Sequence, residues 1–313
     1  HMRNESNEIV EAVKETIDVG RKAGVRVDIS HHKMLGKPNW GKQKETLRLI
    51  HEANDEGIRV ICDQYPYTCN MTTLNACIPP WYFANGFHDL TAKLKNSEFR
   101  KKLKAEMEDP ETPYDNYYLN AGGWSGVYVY SSPKTPLAEG RFISDYAKEI
   151  KKDPWTAFFD LCEANNCETD GDYSSMCEED VCEIIRDPYC IVGSDGLTRC
   201  WKEKGHPRAS GTFPHAITYF VQEKGILTLE EMVHKMTGKT AEYLLIKNKG
   251  LIREGYDADL VVLDYPNFHD TATYDHSNSI TEGIDYVFVN GESVYEHKQF
   301  TGRTPGRMIR HNA

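Results

Sequence analysis

Apolar residues recur at two different spacings in the first 70 positions of the chain. Between 7 and 24 the apolar residues recur at helical spacing and a glycine ends the segment, which is typical of an amphipathic helix with a C-terminal cap. Between 25 and 30 they alternate with polar residues, as in a strand with one buried face. A second helix at 39–53 and a second strand at 58–67 repeat this order. The alternation predicts an α/β fold with parallel strands joined by crossover helices.

The middle of the chain has a weaker pattern. A charged segment near 89–108 predicts a helix, and an alternating segment at 127–132 predicts a strand. A further helix is predicted at 154–164, and the apolar run 188–196 predicts a strand that ends in Ser-Asp-Gly. Helices return between 215 and 246, where a Thr-x-x-Glu capping box marks one helix start.

The tail of the chain changes character. Short alternating runs at 250–266, 282–302 and 304–310 are joined by glycine turns, and Val-Asn-Gly-Glu-Ser is a hairpin signal. We therefore divide the chain into an α/β domain at 1–248 and a small β module at 249–313. The module has few candidate catalytic groups, so we expect it to serve as a packing or dimerisation layer.

Charge and hydropathy exclude several classes of protein. The 313 residues carry a formal net charge of −11, which argues against a nucleic-acid or anionic-membrane surface because both need a basic footprint. No apolar run approaches the roughly 20 residues of a membrane span, and the first residues lack a signal-peptide pattern. We expect a cytoplasmic protein that binds neither nucleic acid nor membrane.

The nine cysteines contain no Cys-x-x-Cys pair. Disulfide scaffolds belong mainly to short secreted chains, so we expect reduced and mostly packed thiols. A zinc knuckle made by Cys162, Cys167, Cys177 and Cys182 is a weaker alternative because these residues lack the tight paired spacing of such sites.

Candidate chemistry follows three predicted strands. His31, His32 and Lys33 end the first, the segment 63–67 ends the second, and Asp195 ends the apolar run. In a parallel α/β barrel these strand ends converge on the active site, and histidine with carboxylate suits a hydrolytic zinc site. Each feature also has a structural interpretation, since histidine pairs pack and Asp-Gly forms turns. The residues alone indicate an α/β enzyme, with a metal hydrolase as the leading hypothesis.

A longer series of motifs carries a family resemblance. The motifs are HMRNES at 1–6, ISHHK at 29–33, NWGKQKETLRLI at 39–50, DQYPY at 63–67, AGGW at 121–124, GSDG at 193–196 and HPRASGTFP at 206–214, followed by MTGKTAEYL, GLIREGYDADLVVLD, VNG and TGRTPGRMIR in the tail. In this order they resemble the C-terminal two-thirds of the D-aminoacylases (N-acyl-D-amino-acid deacylases) of the amidohydrolase superfamily. The resemblance implies the C-terminal half of a TIM-type barrel at 1–248 and a small β-sandwich module at 249–313.

The resemblance also implies a role for individual residues. His31 matches a metal-ligand histidine, Asp195 matches the proton shuttle, and His32 has no assigned role. The residues expected to bind the carboxylate of the substrate are Lys33, Tyr65 and Arg208. The implied reaction is zinc-dependent hydrolysis of an N-acyl-D-amino acid to a carboxylate and a free D-amino acid, in which zinc activates a bound water and Asp195 transfers its proton.

The chain departs from the family pattern at its start. It has no His-x-His pair, and its first cysteine, Cys62, comes too late to be the family's cysteine ligand. His1 matches a family zinc ligand, but His-Met is also a common cloning remnant, and the sequence does not separate these two origins. We therefore expect this chain alone to have little or no deacylase activity.

A half-barrel would expose two long strand edges and an apolar layer. We therefore expect either a homo-oligomer or pairing with a separate N-terminal fragment. Two alternatives stay open: a non-catalytic truncated or split fragment that binds D-amino acid derivatives, and another amidohydrolase such as a dihydroorotase-like cyclic-amide hydrolase.

Overall fold

The computed structural model describes residues 1–197 and 204–310. The helices are α1 (Ile9–Ala23), α2 (Gln43–Asp55), α3 (Phe87–Lys93), α4 (Ser97–Glu108), α5 (Tyr117–Asn120), α6 (Ile143–Glu149), α7 (Pro154–Ala164), α8 (Glu178–Arg186), α9 (Arg208–His215), α10 (Leu229–Met236) and α11 (Gly238–Tyr243). The strands are β1 (Val27–Ile29), β2 (Val60–Gln64), β3 (Asn70–Thr73), β4 (Val127–Ser131), β5 (Arg141–Phe142), β6 (Asp170–Tyr173), β7 (Cys190–Val192), β8 (Leu260–Leu263), β9 (Ile284–Val289), β10 (Glu292–Glu296) and β11 (Gln299–Phe300). None of the helices in this part of the chain is long and apolar enough to cross a bilayer.

A three-stranded parallel sheet carries the predicted helix–strand alternation. Its order is β1-β2-β7, with Val27 paired to Val60 and Cys62 paired to Cys190. Helix α1 ends at Gly24, whose φ of +66° provides the left-handed cap that the sequence predicts. The α/β prediction is therefore confirmed. The prediction of two long strand edges is wrong. The outer strands of this sheet are β1 and β7, and each has only three residues.

An insertion, residues 70–173, lies between β2 and β7 and folds around its own sheet and core. Its antiparallel sheet has the order β3-β6-β4-β5. The predicted strand at 127–132 is confirmed as β4, and the predicted helix at 89–108 is two helices, α3 and α4. The strands β3 and β6 escaped prediction because Asn-Met-Thr-Thr and Asp-Gly-Asp-Tyr lack the apolar alternation of a strand.

The helix that follows residue 207 begins earlier than its sequence suggests. Helix α9 starts at Arg208 and continues directly into a π-helix, Ala216–Glu223, although a helix was predicted only from residue 215. Prolines at 207 and 214 and a glycine at 211 obscured the pattern, since these residues usually interrupt helices. The early start places Arg208 at the N-terminal end of the helix.

The tail forms a four-stranded antiparallel sheet with the order β11-β10-β9-β8. The predicted hairpin is confirmed: Asn290 and Gly291, with φ of +49° and +79°, turn the chain between β9 and β10. The strand predicted at 304–310 is wrong, because these residues are described without regular structure.

A candidate active site at the ends of the parallel strands

All six site residues that the sequence analysis selected line one cavity of about 310 Å³: His1, His31, Lys33, Tyr65, Asp195 and Arg208. His31 follows β1, Tyr65 follows β2 and Asp195 follows β7. Strand β3 of the insertion and Glu5 complete much of the wall. Residues far apart in sequence therefore meet because parallel strands end at the same edge of the sheet.

Two imidazole rings face each other in the cavity. His1 Nδ1 lies 2.9 Å from His31 Nε2, and the rings meet edge to face. His31 has a φ of +42°, in the left-handed region, and its backbone N–H donates to the Asp63 carboxylate at 2.9 Å. This bond fixes the end of β1 against the end of β2 and so sets the orientation of the His31 ring.

A buried carboxylate lies on the other side of the His31 ring. Glu5 Oε1 is 2.7 Å from His31 Nδ1 and 2.6 Å from Lys33 Nζ, and both charged side chains are buried. Lys33 Nζ also lies 2.8 Å from His31 Nδ1. Burial alone would raise the pKa of Glu5, but Lys33 and His31 outweigh it and hold this pKa below its ordinary value. Glu5 is thus a carboxylate that bridges two basic groups.

The backbone around Glu5 is held in place by the insertion. The Glu5 N–H donates to Asp115 Oδ2 at 2.8 Å, and the Ser6 hydroxyl donates to Asp115 Oδ1 at 2.6 Å. The Leu35 N–H donates to the Glu5 carbonyl at 2.8 Å. Sequence reasoning missed both Glu5 and Asp115. The HMRNES motif contains Glu5, but its burial and its two basic partners become evident only in three dimensions.

The remaining candidates gather around the Tyr65 ring. Arg208 lies over this ring at 4.7 Å and Lys33 Nζ lies 5.8 Å from its centroid. Arg208 Nη2 pairs with Asp195 Oδ2 at 2.9 Å. Buried Arg208 Nη1 has no hydrogen-bond partner within residues 1–197 and 204–310. Two cations close to one aromatic ring, one of them with an unused donor, form a site suited to an anion.

A third histidine, His206, supports the backbone of Arg208. His206 is buried; its Nδ1 accepts the Arg208 backbone N–H at 3.0 Å and its Nε2 lies 3.1 Å from the Cys69 carbonyl. Burial, followed by Arg208, lowers the pKa of His206 well below its ordinary value, so the ring is neutral. Its two partners assign the proton to Nε2. The HPRASGTFP motif contained this residue, but no role for it was inferred.

His32 takes no part in the cavity. Its Nε2 lies 2.9 Å from the Thr46 hydroxyl on α2, and the ring is fully buried. Burial lowers its pKa to about 4, which keeps the imidazole neutral. His32 is a core residue, in keeping with the absence of an assigned role.

The donors present fit part of a zinc site. Histidine nitrogens are preferred zinc ligands, and catalytic zinc takes three protein ligands. His1 and His31 provide two facing nitrogens, and the contact of His31 Nδ1 with Glu5 is of the carboxylate–histidine type found behind metal ligands. Among the described residues, however, no group of three histidine, cysteine, aspartate or glutamate side chains is arranged to bind a metal. The zinc-knuckle alternative gains no support, and the eight described cysteines are free thiols.

Comparison with known proteins finds one matching family model and several similar proteins. The model of the amidohydrolase family matches residues 179–295. A D-aminoacylase from Alcaligenes xylosoxydans xylosoxydans is 33% identical over 313 residues, which is the whole of this chain and 54% of that protein. An N-acyl-D-aspartate deacylase from the same organism is 31% identical over 99% of this chain and 52% of its own length.

Solved structures agree with the sequence matches. A D-aminoacylase mutant in complex with copper chloride has a TM-score of 0.77 at 32% identity, covering 99% of this chain and 55% of that one. An N-acyl-D-glutamate deacylase from Bordetella bronchiseptica, complexed with zinc and a phosphonate inhibitor, has the same score at 28% identity, with 99% and 55% covered. The chain is thus a homologue of the amidohydrolases. The similar proteins include a D-aminoacylase and two N-acyl-D-amino-acid deacylases, and this chain spans about half of their length.

Proposed function

We propose that this chain forms the C-terminal part of a metal-dependent enzyme that hydrolyses N-acyl-D-amino acids to a carboxylate and a free D-amino acid. In this proposal the three parallel strands belong to a (β/α) barrel at 1–248, and the tail sheet is one layer of a β-sandwich. The observation that carries the proposal is the single cavity lined by His1, His31, Lys33, Tyr65, Asp195 and Arg208.

The substrate carboxylate would bind between Lys33, Tyr65 and Arg208. Charge supports this assignment, since the unused donor of Arg208 and the ammonium of Lys33 both lie near the Tyr65 ring. An arginine fork binds a carboxylate through charge-assisted hydrogen bonds. Binding at this point would fix the distance between the amino acid and the two histidines.

His1 and His31 would hold the metal, together with a ligand from outside the described residues. A bound metal would supply a water of lowered pKa and would polarise the acyl carbonyl. Asp195 would accept the proton of the attacking water and then transfer it to the leaving nitrogen. Its side chain is 38% exposed and its φ of +46° turns the chain at the end of β7, so it has access to the cavity. We propose that this metal is zinc, which is bound in the solved structure of one similar protein.

A second candidate function is binding without hydrolysis. The described residues provide two facing histidines and no three-ligand group, which favours a chain that binds D-amino acid derivatives and gains activity only by pairing. We propose that such pairing joins it to an N-terminal half, with a homo-oligomer of this chain as the other arrangement.

The test combines binding with turnover of N-acetyl-D-leucine in the presence of zinc. We expect the wild-type chain to bind this compound, and Arg208→Met to weaken binding by about 10- to 100-fold, because a charged hydrogen bond contributes about 1.5–3 kcal/mol. Arg48→Met, at an exposed arginine on α2, is the control. Binding with release of leucine supports the enzyme, and binding without release supports the second function. Equal binding of N-acetyl-D-leucine by the Arg208→Met variant and the wild type would contradict the proposed carboxylate site.

A further inference from the structure

Glu5 is the buried group that joins the histidine side of the cavity to its cationic side. Its Oε1 atom, Lys33 Nζ and His31 Nδ1 form a triangle with sides of 2.6, 2.7 and 2.8 Å. Lys33 Nζ also donates to the His31 carbonyl at 2.9 Å. Glu5 and Lys33 are 3% and 4% exposed, so solvent does not compete for these bonds.

Two hydrogen-bond arrangements of this triangle have opposite consequences for His31. If Lys33 donates to Nδ1, a neutral His31 ring carries its proton on Nε2, the nitrogen that faces His1. If Nδ1 carries the proton and donates to Glu5, the Nε2 lone pair is free and faces His1. A metal ligand needs the second arrangement, because a protonated nitrogen cannot bind a metal.

We propose that Glu5 is a positioning residue that selects the Nδ1–H form of His31 and holds the Lys33 ammonium beside Tyr65. The proposal rests on the proposed function, in which His31 is a metal ligand and Lys33 binds the substrate carboxylate. One carboxylate oxygen serves both groups: it accepts the proton of Nδ1 and pairs with the ammonium that would otherwise donate to this nitrogen.

The surroundings of Glu5 support a positioning role. Its backbone N–H is bound to Asp115 and its carbonyl to Leu35, so the main chain is fixed on both sides of the residue. The insertion therefore controls the position of Glu5 through Asp115, and Glu5 in turn orients His31. This chain of contacts links the inserted region to the ends of the parallel strands.

The experiment compares the wild-type chain with Glu5→Gln, which keeps the side chain's shape and removes its charge. The first measurement is the zinc dissociation constant, obtained by competition with a chelator. We expect Glu5→Gln to weaken zinc binding by about 10- to 100-fold, the usual effect of losing a group that orients a metal ligand. Glu8→Gln is the matched control, because Glu8 is exposed and lies in the same segment, and we expect its zinc affinity to equal that of the wild type.

The second measurement is the tautomer of His31, read from ¹⁵N chemical shifts of the metal-free chain. We expect Nδ1–H in the wild type and Nε2–H in Glu5→Gln. In the double variant Glu5→Gln/Lys33→Met the competing donor is absent, and we expect recovery of both the Nδ1–H form and at least part of the zinc affinity. A general loss of structure would not be repaired in this way, and thermal unfolding shows whether each variant is folded.

The outcomes separate this inference from the proposed function. A wild-type chain that binds no zinc contradicts a metal site built by this chain without a partner, and the tautomer measurement then still decides the role of Glu5. An unchanged His31 tautomer together with unchanged zinc affinity in Glu5→Gln overturns the inference. Zinc binding by the wild type, loss in Glu5→Gln and recovery in the double variant support both.

Discussion

The two hydrophobic cores of the molecule differ in what they bury. The core of the insertion is the richer of the two in aromatic rings: Trp124 stacks on Phe158 with ring centroids 4.4 Å apart, and Trp155 packs edge-on against Trp124 at 5.0 Å. The core around the parallel sheet is mainly aliphatic, and beside it the charged side chains of Glu5 and Lys33 are also buried. Both regions bury apolar surface, and the region of the parallel sheet also buries the charges of Glu5 and Lys33.

Both cores contribute to stability, and only one of them lies beside the buried charges of Glu5 and Lys33. Buried charges are unfavourable unless they are paired and hydrogen-bonded, whereas aromatic burial is directly stabilising. Tyr117 packs against both cores and lines the cavity, and Asp115 holds the backbone of Glu5. The insertion therefore serves as a scaffold for the site as well as one of its walls.

The largest expected effect is in the aromatic core. Phe158 is fully buried on helix α7, and Phe158→Ala should lower the free energy of unfolding by about 3–5 kcal/mol, because it removes apolar contacts and leaves a cavity. Urea unfolding measures this change. Phe300→Ala, at a side chain that is 72% exposed, is the control and should change stability by no more than about 0.5 kcal/mol. A loss below about 1 kcal/mol in Phe158→Ala would show that the core around Phe158 contributes little to stability.

Asp172 tests the cost of buried charge where the two regions meet. Burial raises its pKa to about 8, although Arg208 acts in the opposite direction; in the unfolded chain this pKa is about 3.9. Between these values the folded state holds one more proton than the unfolded state. The stabilising contribution of the protonated carboxyl is therefore complete below about pH 4 and is lost as the pH rises through about 8.

Asp172→Asn removes this titration. We expect the variant to exceed the wild type in stability by roughly 1–3 kcal/mol at pH 8.5, the usual range for an unsatisfied buried polar group, and by much less at pH 5. Thermal unfolding across this pH range measures the difference. Asp145→Asn, at an exposed residue on α6, is the control and should show no such trend. A pH-independent difference for Asp172→Asn would mean that the carboxyl is already ionised at pH 5.

The sequence predicted the two regions unequally, for physical reasons. Around the parallel sheet, helical and strand periods are local, so α1, β1, α2 and β2 were predicted within a few residues of their observed bounds. In the insertion, β3 pairs with β6 across about 100 residues, with Asn70 opposite Tyr173. Such pairing leaves no local signal when the strands are short and polar.

In the candidate site, too, some residues were predicted from the sequence and others were not. His31, Lys33, Tyr65, Asp195 and Arg208 were selected because they lie in motifs, and each motif is a continuous string. The partners of these residues were missed, because a partner is defined by a contact and not by its own position. His206 lay within a motif, yet only the backbone N–H of Arg208 and the carbonyl of Cys69 give it a role.

The smallest expected effect tests whether the two regions unfold together. Asn96 caps α4 in the insertion by accepting the N–H groups of Glu98 and Phe99, and Thr228 caps α10 near the parallel sheet through a capping box. Asn96→Ala and Thr228→Ala should each lower the free energy of unfolding by about 1 kcal/mol. Because Tyr117 and the bond between Asp115 and Glu5 connect the regions, we expect one cooperative transition in both variants.

Tryptophan fluorescence and circular dichroism show whether the two regions unfold together or separately. Trp81, Trp124 and Trp155 lie in the insertion, so fluorescence reports mainly on that region, while circular dichroism reports on the helices of both. In one cooperative unit, each variant shifts both signals by the same amount. If Asn96→Ala shifts the fluorescence transition and only part of the dichroism change, while Thr228→Ala leaves the fluorescence transition where it is, the insertion unfolds separately. If the insertion unfolds first, the support of Glu5 by Asp115 is lost while the parallel sheet is still folded, and the site loses its geometry before most of its residues unfold.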